Sequence, residues 1–181
     1  MADSLLESHH GVLMSIAGYG VFIIGPAAIG KSSLALELLS QGHQLIADDV
    51  VEFSKQENSI TGHCPSMLEE LLHSRELGLI SISTVFGKDA WQRQHKLDVV
   101  IALQSEFPPD IKLTPEKKYY TLLGQSFPLL SLSTHNPASL AHRTLCWLTM
   151  QLESHDPENE LKQRQQRIMS NTLKYRESTW Q

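Results

Sequence analysis

The sequence predicts an α/β fold: a single P-loop-containing domain whose mixed, mostly buried β-sheet is flanked by helices. Residues 25–32 carry that expectation, reading Gly-Pro-Ala-Ala-Ile-Gly-Lys-Ser, a complete G-x-x-x-x-G-K-S phosphate-binding loop. The apolar run Val21-Phe22-Ile23-Ile24 enters the loop and the periodic run Leu34 to Leu39 leaves it, so the loop joins a strand to a helix. A third apolar run, Asp98 to Leu103, supplies a further buried strand.

In chain order, Gly11 to Gly18 is an apolar stretch bounded by glycines and predicts a strand, with a tight turn at Gly18-Tyr19-Gly20 into the next. The helix from Lys31 should stop at Gln41-Gly42, where glycine takes the left-handed C′ position. His43 to Ala47 predicts a short strand ending in Asp48-Asp49, and residues 54–62 a hairpin or exposed loop. Ser66-x-x-Glu69 reads as a capping box opening a short helix from Met67 to about His73, before an apolar strand over 78–86. Residues 91–96 read as exposed, and residues 105–126, with three prolines, as a long loop or irregular strands. Leu129 to Ser133 resumes a strand. Asn136-Pro137 predicts the start of a helix whose Leu140, Ala141, Thr144, Leu145, Leu148 and Leu152 pack on the sheet. Asp156-Pro157 starts another, with sparse apolar positions. The domain is read as residues 1–155, with 156–181 a solvated or oligomer-contacting helical tail of the same domain.

The candidate nucleotide-binding residues are Gly25, Pro26, Ala27, Ala28, Ile29, Gly30, Lys31, Ser32 and Ser33. Their backbone N–H groups converge on phosphate, Lys31 reaches the β- and γ-phosphates, and the Ser32 hydroxyl is placed to ligate Mg²⁺. Asp48 and Asp49 end a strand, where ligands of α/β sheets bind. One carboxylate there can hold metal while the other accepts a proton from an attacking hydroxyl. Arg75 and Glu76, beside Gly78, read by themselves as a surface turn.

A formal net charge of −5 points away from a general nucleic-acid or acidic-membrane binder. Cys64 and Cys146 lie far apart and outside any C-x-x-C pair, which argues against a zinc site or a disulfide framework. The first residues carry no basic segment followed by an apolar one, and no apolar run approaches spanning length. The expected location is the cytoplasm.

His10-Gly11-Val12, Gly25 to Ser32 and Gln41-Gly42-His43-Gln-Leu-Ile-Ala-Asp48-Asp49 stand in an order that resembles the catalytic domain of bacterial HPr kinase/phosphorylase. That family's HG-V strand, G-x-x-G-x-G-K-S loop and R-G-H-x-L-x-A-D-D segment are followed by E-I-R-G-L-G-I-I and L-F-G. These look like His73-Ser74-Arg75-Glu76-Leu77-Gly78-Leu-Ile and Val85-Phe86-Gly87. The resemblance covers residues 5 to 105 well and the rest weakly. It implies an HPr kinase/PEP carboxykinase-like fold and an ATP- and Mg²⁺-dependent kinase that phosphorylates a serine of the phosphocarrier HPr, regulating carbohydrate metabolism. In the family the same domain removes that phosphate by phosphorolysis.

By position, the resemblance makes Asp49 the proton acceptor, with His10 beside it, Lys31 on the transferring phosphate and Ser32 on Mg²⁺. Arg75 falls on the arginine of the second signature. A homo-oligomer, with a hexamer as one form, is implied too. The chain departs from the pattern at four places. His73 stands where the family has a magnesium-binding glutamate, leaving Asp48 or Glu76 as substitute ligands. Ser33 replaces a glutamate, Ser133 to Ser139 lacks both arginines of P-V-R-P-G-R-N, and Tyr119-Tyr120-Thr121 lacks the loop arginine. Few residues precede His10, so the family's separate N-terminal domain is expected to be absent. These departures predict weakened or lost phosphorolysis. Two other readings stand beside the protein kinase: a P-loop kinase for a small molecule, and a non-catalytic nucleotide-sensing module.

Overall fold

Strands β1 (Leu6–His10), β2 (Val12–Ile16) and β3 (Tyr19–Ile24) bring the chain into the phosphate loop. The structure, a computed structural model, describes residues 6–107, 116–152 and 156–178, with the side chains at 152 and 171–178 left aside. Ile16 pairs with Tyr19, so β2 and β3 join through a two-residue turn, Ala17 at φ 51 and Gly18 at φ 84. The turn lies one residue before the predicted position because two positive φ values match the twist of the flanking strands.

Helix α1 (Lys31–Ser40) follows the loop, and Gly42 at φ 88 ends it. The His43 N–H donates to the Leu38 carbonyl and the Gly42 N–H to that of Leu39, a Schellman closure. Then come β4 (Gln44–Ala47), β5 (Val50–Gln56), β6 (Ser59–His63), β7 (Leu71–Ser74) and β8 (Gly78–Ser81). A short helix α2 (Ile82–Phe86) leads to β9 (Gln94–Lys96) and β10 (Val99–Gln104). The chain closes with β11 (Lys118–Leu122), β12 (Gln125–Ser133), α3 (Leu140–Leu152) and α4 (Pro157–Ser178).

The main sheet has six strands in the order β11-β12-β10-β3-β2-β4. Strand β10 runs parallel to β3 and β12, while β2 runs antiparallel to both β3 and β4. Hence β3, β4, β10 and β12 all point their carboxyl ends to one edge, and both the phosphate loop and Asp48-Asp49 leave from that edge. A second sheet, β1-β5-β6-β9, is antiparallel throughout.

Two cores result. Val12, Met14, Ile16, Val21, Ile23 and Ile101 face Leu34, Leu38, Ala141 and Leu148 of the helices. The alternate residues Leu13, Phe22 and Val100 face Val51, Phe53 and Ile60 of the second sheet. This arrangement explains the unbroken apolar reading of β2 and β3, since a strand covered on both faces has no polar side.

Several local expectations are corrected. Residues 66–68 form a single 3₁₀ turn with Pro65 in the cap position and no side-chain cap, so the capping box does not form. Leu71–Ser74 is a strand paired with Gly78–Ser81, and the predicted strand over 78–86 ends at Ser81. Residues 94–96 form strand β9 on β6, and Trp91, half-buried, donates its Nε1–H to the Ile46 carbonyl at 3.1 Å. The predicted hairpin at 54–62 is present as β5–β6. Of the long loop or irregular strands expected over 105–126, residues 118–126 belong largely to the regular β11–β12 hairpin, and 108–115 lie outside the described residues. Asn136 Oδ1 accepts the Ala138 N–H in a turn, and Ser139 caps α3, its Oγ accepting the His142 N–H at 3.3 Å. Ala141, Thr144 and Leu148 are buried as expected, whereas the Leu152 side chain lies outside the described set. On α4, Leu161, Ile168 and Met169 are exposed. No helix among the described residues is long and apolar enough to cross a membrane.

Candidate active site

The loop between β3 and α1 turns sharply at Gly25, where a side chain would meet the Leu103 carbonyl oxygen at 2.7 Å. Pro26, Ala27 and Ala28 are exposed, and Ala28 is held at φ 65, a left-handed conformation that strains a residue with a Cβ. Lys31 opens α1 and is only 7% exposed. Its Nζ donates to the Gly25 and Pro26 carbonyls, both at 3.0 Å, which lays the ammonium across the mouth of the loop. Burial pulls the Lys31 pKa down, and the charges of Asp48 and Asp49 oppose that shift.

The Ser32 hydroxyl donates to Asp48 Oδ1 at 3.1 Å, and the His73 backbone N–H donates to Asp48 Oδ2 at 2.8 Å. Asp48 is 5% exposed, and burial pushes its pKa up, against the pull of those two hydrogen bonds. Asp49 faces the other way, its side chain 67% exposed and its Oδ1 3.0 Å from His10 Nδ1. Adjacent carboxylates therefore occupy opposite environments, one dry beside Ser32 and one wet beside His10.

The structure thus gathers His10, the Gly25–Ser33 loop, Lys31, Asp48 and Asp49 at one edge. Ser33 is exposed on the first turn of α1. Arg75 and Glu76 stand exposed in the turn between β7 and β8, and among the described residues neither bonds to Asp48, Asp49 or Ser32. Two contributors were not read from the sequence as site residues. The backbone of His73 anchors Asp48, which nothing in its side chain announces. The N–H of Gly11 donates to the Asp49 carbonyl at 3.1 Å, and a lone glycine between two strands was the available signal.

A phosphate loop with a buried lysine, opening beside an inward and an outward carboxylate on an α/β sheet, defines a P-loop protein with the donor set of a phosphotransferase. More narrowly, the chain belongs to the HPr Serine kinase C-terminal domain family, whose model matches residues 3–165. HPr kinase/phosphorylase of Azoarcus sp. is 38% identical over 170 residues, 90% of this chain and 54% of that protein. The protein of the same name from Bordetella avium is 50% identical over 95 residues, 52% of this chain and 31% of that one. The chain thus spans about half, or less, of the length of the curated relatives it matches. The solved Hpr(Ser) kinase/phosphatase of Coxiella burnetii superposes with a TM-score of 0.74 at 31% identity, covering 82% of this chain and 99% of that one.

Proposed function

We propose that this chain transfers the γ-phosphate of ATP to a serine of the phosphocarrier HPr. One observation carries the reading: from adjacent positions beside Lys31, Asp48 turns inward to Ser32 and Asp49 outward to His10. The transfer forms a bond between the serine oxygen and Pγ and breaks the bond from Pγ to the β,γ-bridging oxygen, releasing ADP. Asp49 takes the proton of the serine hydroxyl, and the exposure of its carboxylate leaves room for a protein side chain. His10 fixes that carboxylate from the far side. Lys31, once drawn off the loop carbonyls, sets its charge against the transferring phosphate.

The hard oxygens of Ser32 and Asp48 fit Mg²⁺, and these two residues would hold it. Such an ion, when bound, neutralises charge on the phosphates. Phosphorolysis is weakened in this reading, because the arginines near 133–139 and at 119–121 are absent from the chain. A homo-oligomer is part of the same proposal, consistent with the exposed Leu161 and Met169 of α4.

The test is the intact mass of purified HPr after incubation with the chain and Mg²⁺–ATP, against Asp49→Asn. A serine-phosphate shift is expected, with a rate on the order of 10² to 10⁴ lower in the variant and ATP affinity unchanged. No shift with ATP bound would overturn the reading in favour of a small-molecule kinase or a nucleotide sensor.

A further inference from the structure

Strands β1 and β5 belong to the four-stranded sheet, β2 and β4 to the six-stranded one. The chain therefore crosses between sheets twice at one corner, at Gly11 between β1 and β2 and at Asp48-Asp49 between β4 and β5. Pairs bracket the corner, His10 with Val50 and Leu13 with Ala47, and the β2–β4 register shifts between Leu13 and Met14. At the corner itself two backbone bonds are made, a local one within the turn and one in the register of the flanking pairs. The Val50 N–H donates to the Asp48 carbonyl at 2.9 Å, closing a γ-turn around Asp49 at φ 70, and the Gly11 N–H holds the Asp49 carbonyl at 3.1 Å.

A γ-turn with positive φ at a residue other than glycine is rare, and it persists only where its surroundings over-determine it. The geometry supplies that constraint through Gly11. A Cβ at this position would lie 2.5 Å from Phe22 Cε2 and 2.7 Å from the Ile23 carbonyl oxygen. The corner can close against β3, and reach Asp49, only without a side chain at 11. At this turn the Asp48 carboxylate meets Ser32 and the His73 N–H, and the Asp49 carboxylate meets His10.

We propose that Gly11 is a positioning residue for phosphoryl transfer: seated where β1 passes into β2, it clamps the Asp49 carbonyl and so aims the Asp49 carboxylate at the acceptor. The proposal rests on the reading of Asp49 as proton acceptor. Gly11 touches no substrate and acts through Asp49 alone.

The test compares wild type, Gly11→Ala, Asp49→Asn and the double variant, reading kcat and the KM for ATP with HPr as acceptor. Gly11→Ala is expected to lower kcat about 10- to 100-fold, as displacement of a reacting group by about an ångström does, with the ATP KM changed less than about twofold. In the Asp49→Asn background it should have no further effect, because the group it positions is gone. An equal loss in both backgrounds overturns the proposal and makes Gly11 merely structural. So does a rise in ATP KM without loss of kcat, or a variant as fast as wild type. Wild-type activity unchanged by Asp49→Asn overturns the underlying reading, a result the single variant decides alone. Should Gly11→Ala not fold, amide exchange in the wild-type chain decides: a protected Gly11 N–H is required, and one exchanging at the unprotected rate overturns the clamp.

Discussion

Asp48 is a buried carboxylate met by a hydroxyl and a backbone N–H rather than by a cation, and its raised pKa has a definite consequence. The folded chain holds the Asp48 proton more tightly than the unfolded chain, where an aspartate titrates at about 3.9. Stability from this group is therefore fully present below that value and falls as pH rises through the higher folded pKa. Asp48→Asn should flatten that fall and leave the unliganded protein at pH 7 as stable as wild type or up to about 1 kcal/mol more stable, read by thermal unfolding against pH. The same variant should gain less stabilisation from Mg²⁺–ATP. Lys31→Ala removes the cation laid across the loop, and nucleotide affinity should fall by about tenfold or more in a titration, the weight of one strong charged contact. Lys31, Ser32, Asp48 and Asp49 were legible as residues because each chemistry needs its own side chain. The anchoring N–H of His73 was not, since every residue but proline carries one.

At the scale of elements, the ends of α1 follow the sequence closely. Gly42 sits at φ 88 with open space where its Cβ would go, so Gly42→Ala meets no clash and only the left-handed backbone opposes it. A loss of about 1 to 2 kcal/mol is expected in urea unfolding, with the m-value unchanged. The misread elements share one cause. Ser66 to His73 has the letters of a capped helix, yet Leu72 pairs with Ile80 and is fully buried. Packing of a hairpin on the core outweighs a cap worth about 1 kcal/mol. Likewise Asn136-Pro137 spends its cap on a local turn, and Ser139, which also bonds Glu37 of α1, starts α3 where that helix can pack.

Across the whole molecule, the two sheets are locked by aromatic rings. Phe22 of the six-stranded sheet and Phe53 of the four-stranded one meet edge to face with centroids 4.9 Å apart, and both are fully buried. Phe53→Ala should cost about 3–5 kcal/mol, and calorimetry should still show one cooperative transition because the sheets share this core. The second sheet beyond its β5–β6 hairpin was the largest feature unread in the sequence. Strands β1, β5, β6 and β9 are short and half-exposed, with polar residues on one face, and their partners lie as far apart in sequence as Leu6 and Ser54 or Thr61 and Lys96. By itself the sequence determined the strand, loop and helix around Lys31, the terminal position of Asp48-Asp49 and the double burial of β2 and β3, because local pattern and backbone chemistry dictate these. Only the tertiary structure decided that β1 joins β5, that two sheets meet at Gly11 and Asp49, and that Asp48 meets Ser32 while Asp49 meets His10. Those outcomes depend on which distant surfaces pack together, and a short alternating strand is compatible with many partners until the core selects one.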